Sequence, residues 1–208
     1  MYNIVMIKAI IFDLDGVLID ATEWHYEALN DALKIFGYEL GLEEHLTTYN
    51  GLPTAEKLKL LSEKKGLPLG LHEIIKVMKR KLTDERVRQL CSPSHEKQIM
   101  LTNLKHKGYK LACCSNAQKY SVMNMLESAK IDHFFSVIMG NDEGYKPKPA
   151  PDIYLATFKE LKVPPNEVII VEDASHGIEA AKRSGAKVIA VRGFEDVNLS
   201  LFLDLNLV

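Results

Sequence analysis

Cysteine is scarce in this sequence: only three of the 208 residues are cysteines, at Cys91, Cys113 and Cys114. Their spacing matches no metal-binding motif, and the neighbours Cys113 and Cys114 would point to opposite faces of a strand. Three cysteines placed in this way form no disulfide framework. A reducing, cytoplasmic setting is therefore the simplest prediction.

Long apolar runs and an excess of charge of one sign are also missing. No apolar run approaches the roughly 20 residues that a membrane-spanning helix needs, and residues 1–11 are predicted to be a core strand rather than a signal peptide. The formal net charge is −2, from 26 basic and 28 acidic residues. This balance predicts neither a nucleic acid nor a membrane as a partner.

The composition that is present suits a globular protein. Hydrophobic residues make up 47% and charged residues 26% of the sequence, which allows a sizeable core. Apolar runs alternate with helical patterns, which predicts a doubly wound, Rossmann-like α/β fold around a parallel sheet. The predicted strands are 8–12, 109–114, 135–139, 168–171 and 186–191. The predicted helices are 98–107, 121–129, 152–161 and 176–184. The last of them is predicted to have Ser175 as its N-cap and to end at Gly185.

The stretch from about residue 19 to residue 91 breaks this alternation, because it contains no convincing strand. Its apolar residues recur at helical spacing, and the predicted helices are 22–36, 54–65 and 71–90. A helical unit is therefore expected as an insertion after the first strand. The predicted domains are a helical cap at 19–90 and an α/β core at 1–18 and 91–208. The apolar tail at 198–208 packs either on the core or on another chain.

Two carboxylates follow the first predicted strand, at Asp13 and Asp15. Because side chains alternate along an extended backbone, carboxylates two residues apart project to the same side. Gly16 lets the chain turn immediately afterwards. One carboxylate can therefore attack while its neighbour transfers protons. The structural alternative is an acidic strand end that only caps a turn.

Two further segments carry groups that suit a phosphate. Ser115 and Asn116 follow a predicted strand, where a hydroxyl and a free backbone amide suit a phosphate oxygen, although Ser-Asn is also ordinary in turns. Alternate prolines stiffen residues 145–152 and hold a lysine in a fixed direction. Such an ammonium group near two carboxylates could neutralise the negative charge on a phosphoryl group. The structural alternative is a stiff surface loop.

Glu172 and Asp173 end a fully apolar predicted strand. Acidic groups at such a position are costly unless a cation or a partner compensates them, and Mg²⁺ prefers a few carboxylates together with water and phosphate oxygens. The structural alternative is an acidic helix N-terminus, which the helix dipole favours. Because open α/β sheets bind ligands beyond the carboxyl ends of their strands, all four segments are expected at one site.

Taken in this order, the motifs resemble those of the haloacid dehalogenase superfamily, in its phosphatase and β-phosphoglucomutase branch with a small helical cap. The resemblance covers essentially the whole chain. The motifs that carry it are Asp-Leu-Asp-Gly-Val-Leu at 13–18, Lys-Pro-Ala-Pro-Asp-Ile-Tyr at 148–154 and Val-Glu-Asp-Ala-Ser-His-Gly-Ile-Glu-Ala-Ala at 171–181. The resemblance implies that a small-molecule phosphate ester is the substrate.

The resemblance also implies a role for each acidic residue. It implies that Asp13 is the nucleophile that forms an aspartyl-phosphate and that Asp15 is the general acid/base. It further implies a Mg²⁺ ion between Asp13, the main-chain carbonyl of Asp15 and Asp173, with Glu172 either beside the ion or bound to it.

The resemblance implies phosphate-binding roles for three more residues. Ser115 and the backbone amide of Asn116 are expected to bind the transferring phosphoryl group. Lys148 is expected to hold that group and to orient the nucleophile. Lys146 also fits the Lys-Pro-x-Pro pattern of the family, but Lys148 is favoured because Pro-Ala-Pro-Asp-Ile-Tyr follows it.

In this family such caps close over the site and exclude water and large substrates, which implies a small phosphorylated metabolite. The segment 51–58 resembles the substrate-reading loop of the cap, where β-phosphoglucomutases carry an arginine three residues after the glycine. This chain has Thr54 at that position, which argues against a mutase. His25 resembles a histidine of the mutase hinge, but related phosphatases carry one there too.

The residues and the resemblance together predict a Mg²⁺-dependent phosphatase that acts on a small phosphorylated metabolite, with a sugar phosphate as the favoured substrate, through an aspartyl-phosphate intermediate. The first alternative is a hexose-phosphate mutase like β-phosphoglucomutase. The second is a catalytically idle binding relative, which the presence of every acidic and basic motif residue argues against.

Overall fold

The computed structural model describes residues 6–142 and 144–208. The start of the predicted core strand and core domain, residues 1–5, lies outside the described residues, as does Glu143. The described chain divides into two compact units. The core unit comprises the chain up to Asp20 and from Ser92 onward, and the helical unit comprises Ala21–Cys91.

A parallel sheet forms the centre of the core unit, which confirms the predicted α/β class. Among the described residues it has five strands in the order β3-β2-β1-β4-β5. The strands are β1 (Ala9–Phe12), β2 (Lys110–Cys114), β3 (Val137–Met139), β4 (Val168–Glu172) and β5 (Lys187–Ala190). All residues of β1 and β4 are buried, as expected for parallel strands that helices cover on both faces.

Helices make up most of the remaining chain. Those of the helical unit are α1 (Thr22–Lys34), α2 (Leu42–Glu44), α3 (Thr54–Lys65) and α4 (His72–Leu90), with a π-helix at His45–Tyr49. Those of the core unit are α5 (His95–His106), α6 (Lys119–Ser128), α7 (Asp152–Leu161), α8 (Ser175–Ser184) and α9 (Leu199–Asp204). Within the described ranges, no helix combines the length and the apolar character needed to cross a membrane.

The prediction of Ser175 as the N-cap of a helix is wrong, because α8 begins at Ser175 itself. Ala174 precedes the helix with an extended backbone and no side-chain cap. The amide of Ile178 already donates to the carbonyl of Ala174, at 2.9 Å, so the first helical hydrogen bond starts one residue earlier than predicted. Gly185 ends the helix at φ +85°, as predicted.

The apolar tail packs on the core unit, which is one of the two alternatives drawn from the sequence. Its helix α9 buries Phe202 completely. The Phe202 ring lies 6.0 Å from the ring of Phe12 in the central strand. The buried Lys97 of α5 holds the segment that precedes the tail, because its Nζ donates to the carbonyl of Phe194 at 2.6 Å.

Candidate active site

The sheet brings three of the predicted segments to the same edge. Strand β1 is hydrogen-bonded to β2 on one side and to β4 on the other, and Phe12 lies in register with Cys113 and Val171. The residues that follow these positions therefore leave the sheet next to one another, at its carboxyl edge. Such an edge is where open α/β sheets bind ligands.

The first acidic segment turns tightly as soon as β1 ends. The amide of Asp13 donates to the carbonyl of Val171 at 3.0 Å, which continues the pairing with β4 by one residue. Gly16 then takes φ +78° and donates its amide to Ile19 at 2.8 Å. A Cβ at Gly16 would lie 2.2 Å from Oδ2 of Asp173, so glycine is required by both conformation and space.

Lys148 connects the acidic residues of the two central strands. Its Nζ donates to Oδ1 of Asp13 at 2.8 Å and to Oε1 of Glu172 at 2.5 Å. The third hydrogen bond goes to the carbonyl of Cys114 at 3.0 Å. An ammonium group has three protons, so all are used within the core unit. Lys146, by contrast, is exposed.

Asn116 holds the backbone of this lysine. Its Oδ1 accepts from the amide of Lys148 at 3.0 Å, and its Nδ2 donates to the Lys148 carbonyl at 3.5 Å. The sequence predicted a role for the backbone amide of Asn116, whereas this side-chain contact is an additional one that the sequence did not predict. No local pattern could reveal it, because the two residues are 32 positions apart.

Ser115 lies at the same edge of the sheet and is 2% exposed. Its own amide donates to the carbonyl of Met139 at 3.2 Å, and its Oγ accepts from the amide of Ala117 at 3.0 Å. The hydroxyl keeps its proton for a further acceptor, because Ala117 uses only a lone pair of the oxygen. A phosphate oxygen is an acceptor of the kind that this hydroxyl can bind.

Three carboxylates come together at the ends of β1 and β4. One oxygen from each of Asp13, Glu172 and Asp173 lies within 4.8 Å of the others. Hard cations such as Mg²⁺ take carboxylate oxygens as ligands, so this donor set fits that ion. Asp15 lies two residues from Asp13, and its side chain is not part of this cluster.

Glu172 is enclosed on several sides, and its environment contains a residue that sequence reasoning missed. The hydroxyl of Tyr154 in α7 donates to Oε1 of Glu172 at 2.8 Å. The amide of Ala174 approaches Oε2 at 3.4 Å. Gly177 of α8 faces the carboxylate so closely that a Cβ there would lie 2.0 Å from Oε1. Tyr154 ends the motif at 148–154, but nothing local indicates where its hydroxyl reaches.

The electrostatics of the cluster show an excess of negative charge. Burial, followed by the nearby Glu172, holds the pKa of Asp13 well above its ordinary value, although Lys148 acts in the opposite direction. Burial and Glu172 also raise the pKa of Asp173 to about 6. Burial opposes the charged form of Lys148, but Asp13 and Glu172 outweigh it and raise its pKa. Three carboxylates thus share one ammonium, and a divalent cation would relieve their repulsion.

The sequence of this chain is similar to those of known phosphate-processing enzymes. The family model described as haloacid dehalogenase-like hydrolase matches residues 10–191. A phosphorylated carbohydrates phosphatase of Thermotoga maritima is 29% identical over 185 residues, which cover 88% of this chain and 83% of that protein. A phosphoglycolate phosphatase of Aquifex aeolicus is 32% identical over 192 residues, which cover 92% of this chain and 88% of that protein.

Solved structures show the same likeness. A β-phosphoglucomutase from Clostridium difficile superimposes with a TM-score of 0.81 at 25% identity, over 94% of this chain and 88% of that one. CbbY from Rhodobacter sphaeroides, solved in complex with phosphate, gives a TM-score of 0.79 at 26% identity, over 91% of this chain and 88% of that one.

Proposed function

This chain belongs to the haloacid dehalogenase-like hydrolase family and is a phosphatase of that family, and we propose that it hydrolyses a small phosphorylated metabolite, a sugar phosphate, with the help of Mg²⁺. The observation that carries the proposal is the hydrogen bond of 2.8 Å between Lys148 Nζ and Asp13 Oδ1. This bond joins Asp13, the proposed nucleophile, to the Lys148 ammonium group that would orient it. The carboxylates of Glu172 and Asp173 lie beside them.

In the proposed mechanism, Asp13 attacks the phosphorus atom of the substrate. A bond forms from a carboxylate oxygen of Asp13 to phosphorus while the bond from phosphorus to the leaving oxygen breaks, and Asp15 donates a proton to that oxygen. The Asp15 carboxylate then takes a proton from a water whose oxygen attacks phosphorus, and the bond between phosphorus and the Asp13 oxygen breaks. Inorganic phosphate leaves, and both aspartates return to their initial state.

Lys148, Ser115 and Asn116 position the reacting groups. The Lys148 ammonium holds the nucleophilic carboxylate and neutralises charge on the phosphoryl group, which is the main requirement of phosphoryl transfer. The Ser115 hydroxyl and the backbone amide of Asn116 donate hydrogen bonds to phosphoryl oxygens. The Asn116 side chain supports this arrangement because it also holds the backbone of Lys148.

The acidic cluster is the proposed Mg²⁺ site. Its ligands would be the carboxylates of Asp13, Glu172 and Asp173, together with the main-chain carbonyl of Asp15. When bound there, the ion supplies positive charge that lets an anionic carboxylate approach an anionic phosphate ester. The proximity of the three carboxylates supports this assignment.

The names of several relatives support a small phosphorylated metabolite as the substrate. The relatives from T. maritima and A. aeolicus are named for phosphorylated carbohydrates and for phosphoglycolate. A further relative, from Escherichia coli, is named a fructose-1-phosphate phosphatase and is 26% identical over 185 residues.

The likeness to a β-phosphoglucomutase supports a mutase as the second candidate function. Thr54 counts against it, since the resemblance leads us to expect an arginine at this position in a mutase. Incubation with glucose 1-phosphate separates the two functions. We expect free phosphate to be released, whereas accumulation of glucose 6-phosphate would establish the mutase.

The proposal is tested by phosphate release from a panel of sugar phosphates and from p-nitrophenyl phosphate, with Mg²⁺ or with EDTA. We expect turnover only with Mg²⁺. We also expect Asp13→Asn to abolish it, because an amide cannot act as the nucleophile. The same change at the exposed Asp204 is the matched control and should leave turnover unchanged. Absence of turnover across the whole panel would favour the idle binding relative.

A further inference from the structure

Tyr154, which is outside the proposed catalytic set, contacts both Glu172 and Lys148. Tyr154 lies in the first turn of α7 and is completely buried. Its hydroxyl donates to Oε1 of Glu172 at 2.8 Å. The face of its ring lies under Lys148, with Nζ 5.0 Å from the ring centroid. Tyr154 thus contacts the carboxylate through its hydroxyl and the ammonium through its ring.

The two oxygens of Glu172 have different surroundings. Oε1 accepts two hydrogen bonds, from Tyr154 at 2.8 Å and from Lys148 at 2.5 Å. Oε2 receives the longer contact from the amide of Ala174, at 3.4 Å. The two hydrogen bonds to Oε1 therefore fix the plane of the carboxylate. Oε2 keeps more of its capacity to accept a hydrogen bond or to bind a cation. A ligand held in this way loses little freedom when it binds a metal.

In the proposed reaction, the hydrogen bond from Lys148 to Glu172 competes with the binding of a phosphoryl oxygen by the same ammonium group. All three of its protons are used, on Asp13, Glu172 and the carbonyl of Cys114. To bind a phosphoryl oxygen the ammonium must weaken at least one of these bonds. Tyr154 is attached to α7 rather than to the lysine segment, so its bond to Glu172 persists when Lys148 turns.

We propose that Tyr154 is a positioning residue that acts through Glu172, holding this carboxylate in the orientation required by the divalent cation. The proposal rests on the proposed function, because it concerns the Mg²⁺ site of that function. It goes beyond that function by assigning a role to a residue outside the set that reacts with or binds the phosphoryl group.

The first test is Mg²⁺ binding to the full chain without substrate, measured by isothermal titration calorimetry. Tyr154→Phe keeps the ring and removes only the hydroxyl. We expect the dissociation constant for Mg²⁺ to rise about tenfold, the lower end of what loss of an outer partner of a metal ligand costs. The matched control is Tyr120→Phe, because Tyr120 is 64% exposed. This variant should bind Mg²⁺ with the same dissociation constant as the unsubstituted chain.

The second test asks whether the effect passes through Glu172. In a chain that carries Glu172→Gln, the additional change Tyr154→Phe should alter the dissociation constant by less than twofold, since the carboxylate is already missing. In kinetic assays, Tyr154→Phe should raise the Mg²⁺ concentration that gives half-maximal rate about tenfold. At saturating Mg²⁺, kcat should fall by less than threefold.

A third measurement needs no substitution. With 3-fluorotyrosine incorporated throughout the chain, the ¹⁹F signal of Tyr154 should shift on addition of Mg²⁺, while that of Tyr120 should stay in place. This experiment decides the question even if Tyr154→Phe fails to fold.

The outcomes separate this inference from the proposed function. If the unsubstituted chain neither binds Mg²⁺ nor hydrolyses any phosphate ester, the proposed function is wrong. The inference alone is overturned if that chain binds Mg²⁺ and Tyr154→Phe binds it equally well. It is also overturned if the full effect of Tyr154→Phe persists beside Glu172→Gln, or if the ¹⁹F signal of Tyr154 does not respond.

Discussion

At the scale of single residues, two lysines two positions apart have different surroundings. Lys148 is 3% exposed and reaches Asp13 and Glu172, while Lys146 is exposed. A buried ammonium between two carboxylates has little freedom to move, so its position is set by these partners. These surroundings support the proposal that Lys148, rather than Lys146, is the phosphate-binding lysine.

The first prediction follows from this difference. Lys148→Ala should lower kcat/KM at least about 100-fold, because it removes a charged donor from the site where phosphoryl charge develops. Lys146→Ala is the matched control and should keep most of the activity. Phosphate release from the best substrate of the panel measures both, and the opposite ranking would show that the roles are reversed.

At the scale of elements, helix α8 approaches β4 closely because residue 177 is glycine. A Cβ at Gly177 would lie 2.0 Å from Oε1 and 2.3 Å from Oε2 of Glu172. A glycine inside a helix is ordinarily destabilising by about 0.5–1 kcal/mol relative to alanine. The contact with Glu172 explains why this helix nevertheless has a glycine here.

Alanine at position 177 should destabilise the chain, which is the reverse of its usual effect in a helix. Gly177→Ala should lower the free energy of unfolding by about 1–3 kcal/mol, since the carboxylate or the helix must shift. It should also weaken Mg²⁺ binding about tenfold, because Glu172 would be displaced. Gly70→Ala is the control, because a Cβ there meets no atom within 4 Å. Urea denaturation and Mg²⁺ titration of both variants check the prediction, which fails if the two behave alike.

Local sequence patterns are sufficient to predict some elements of this chain and insufficient for others. The helices predicted at 54–65 and 152–161 coincide with α3 and α7, because helical spacing and turn residues mark their ends. The π-helix at His45–Tyr49 was not predicted. An element with an unusual hydrogen-bond pattern has no apolar periodicity of its own to reveal it.

At the scale of the whole molecule, we expect the stability at low pH to depend on a buried imidazole in the helical unit. The His45 ring is fully buried, and both of its nitrogens lack a hydrogen-bond partner among the described residues. Burial, followed by the charges of Lys57, His25 and Lys79, lowers the pKa of His45 to about 3. The ring is therefore neutral in the folded chain over the ordinary pH range.

Protonation of His45 should destabilise the folded chain over a defined pH range. The unfolded chain protonates His45 near its ordinary pKa of 6.5, whereas the folded chain does so only near 3. The free energy of unfolding should thus fall as the pH drops below 6.5, by up to about 1.4 kcal/mol per pH unit from this residue. His45→Gln should remove that part of the slope in urea denaturation between pH 7 and pH 4.5.

The control for this prediction is His106→Gln, since His106 is exposed. Each variant loses one imidazole and keeps every carboxylate, so a difference between their slopes is assigned to His45. Equal slopes in the two variants would show that His45 protonates as readily in the folded chain as in the unfolded one.

The sequence by itself determined the parallel α/β class, most of the strands and helices, and the grouping of the acidic residues at strand ends. Those features depend on the spacing of apolar residues and on turn residues nearby in the chain, which can be read directly.

Only the tertiary structure decided which contacts these residues make. Lys148 bonds to Asp13 across 135 positions of the chain, Tyr154 reaches Glu172, and Asn116 holds the lysine backbone. Whether two distant side chains meet depends on strand order and on how closely the helices pack against the sheet, and no segment of sequence contains that information alone.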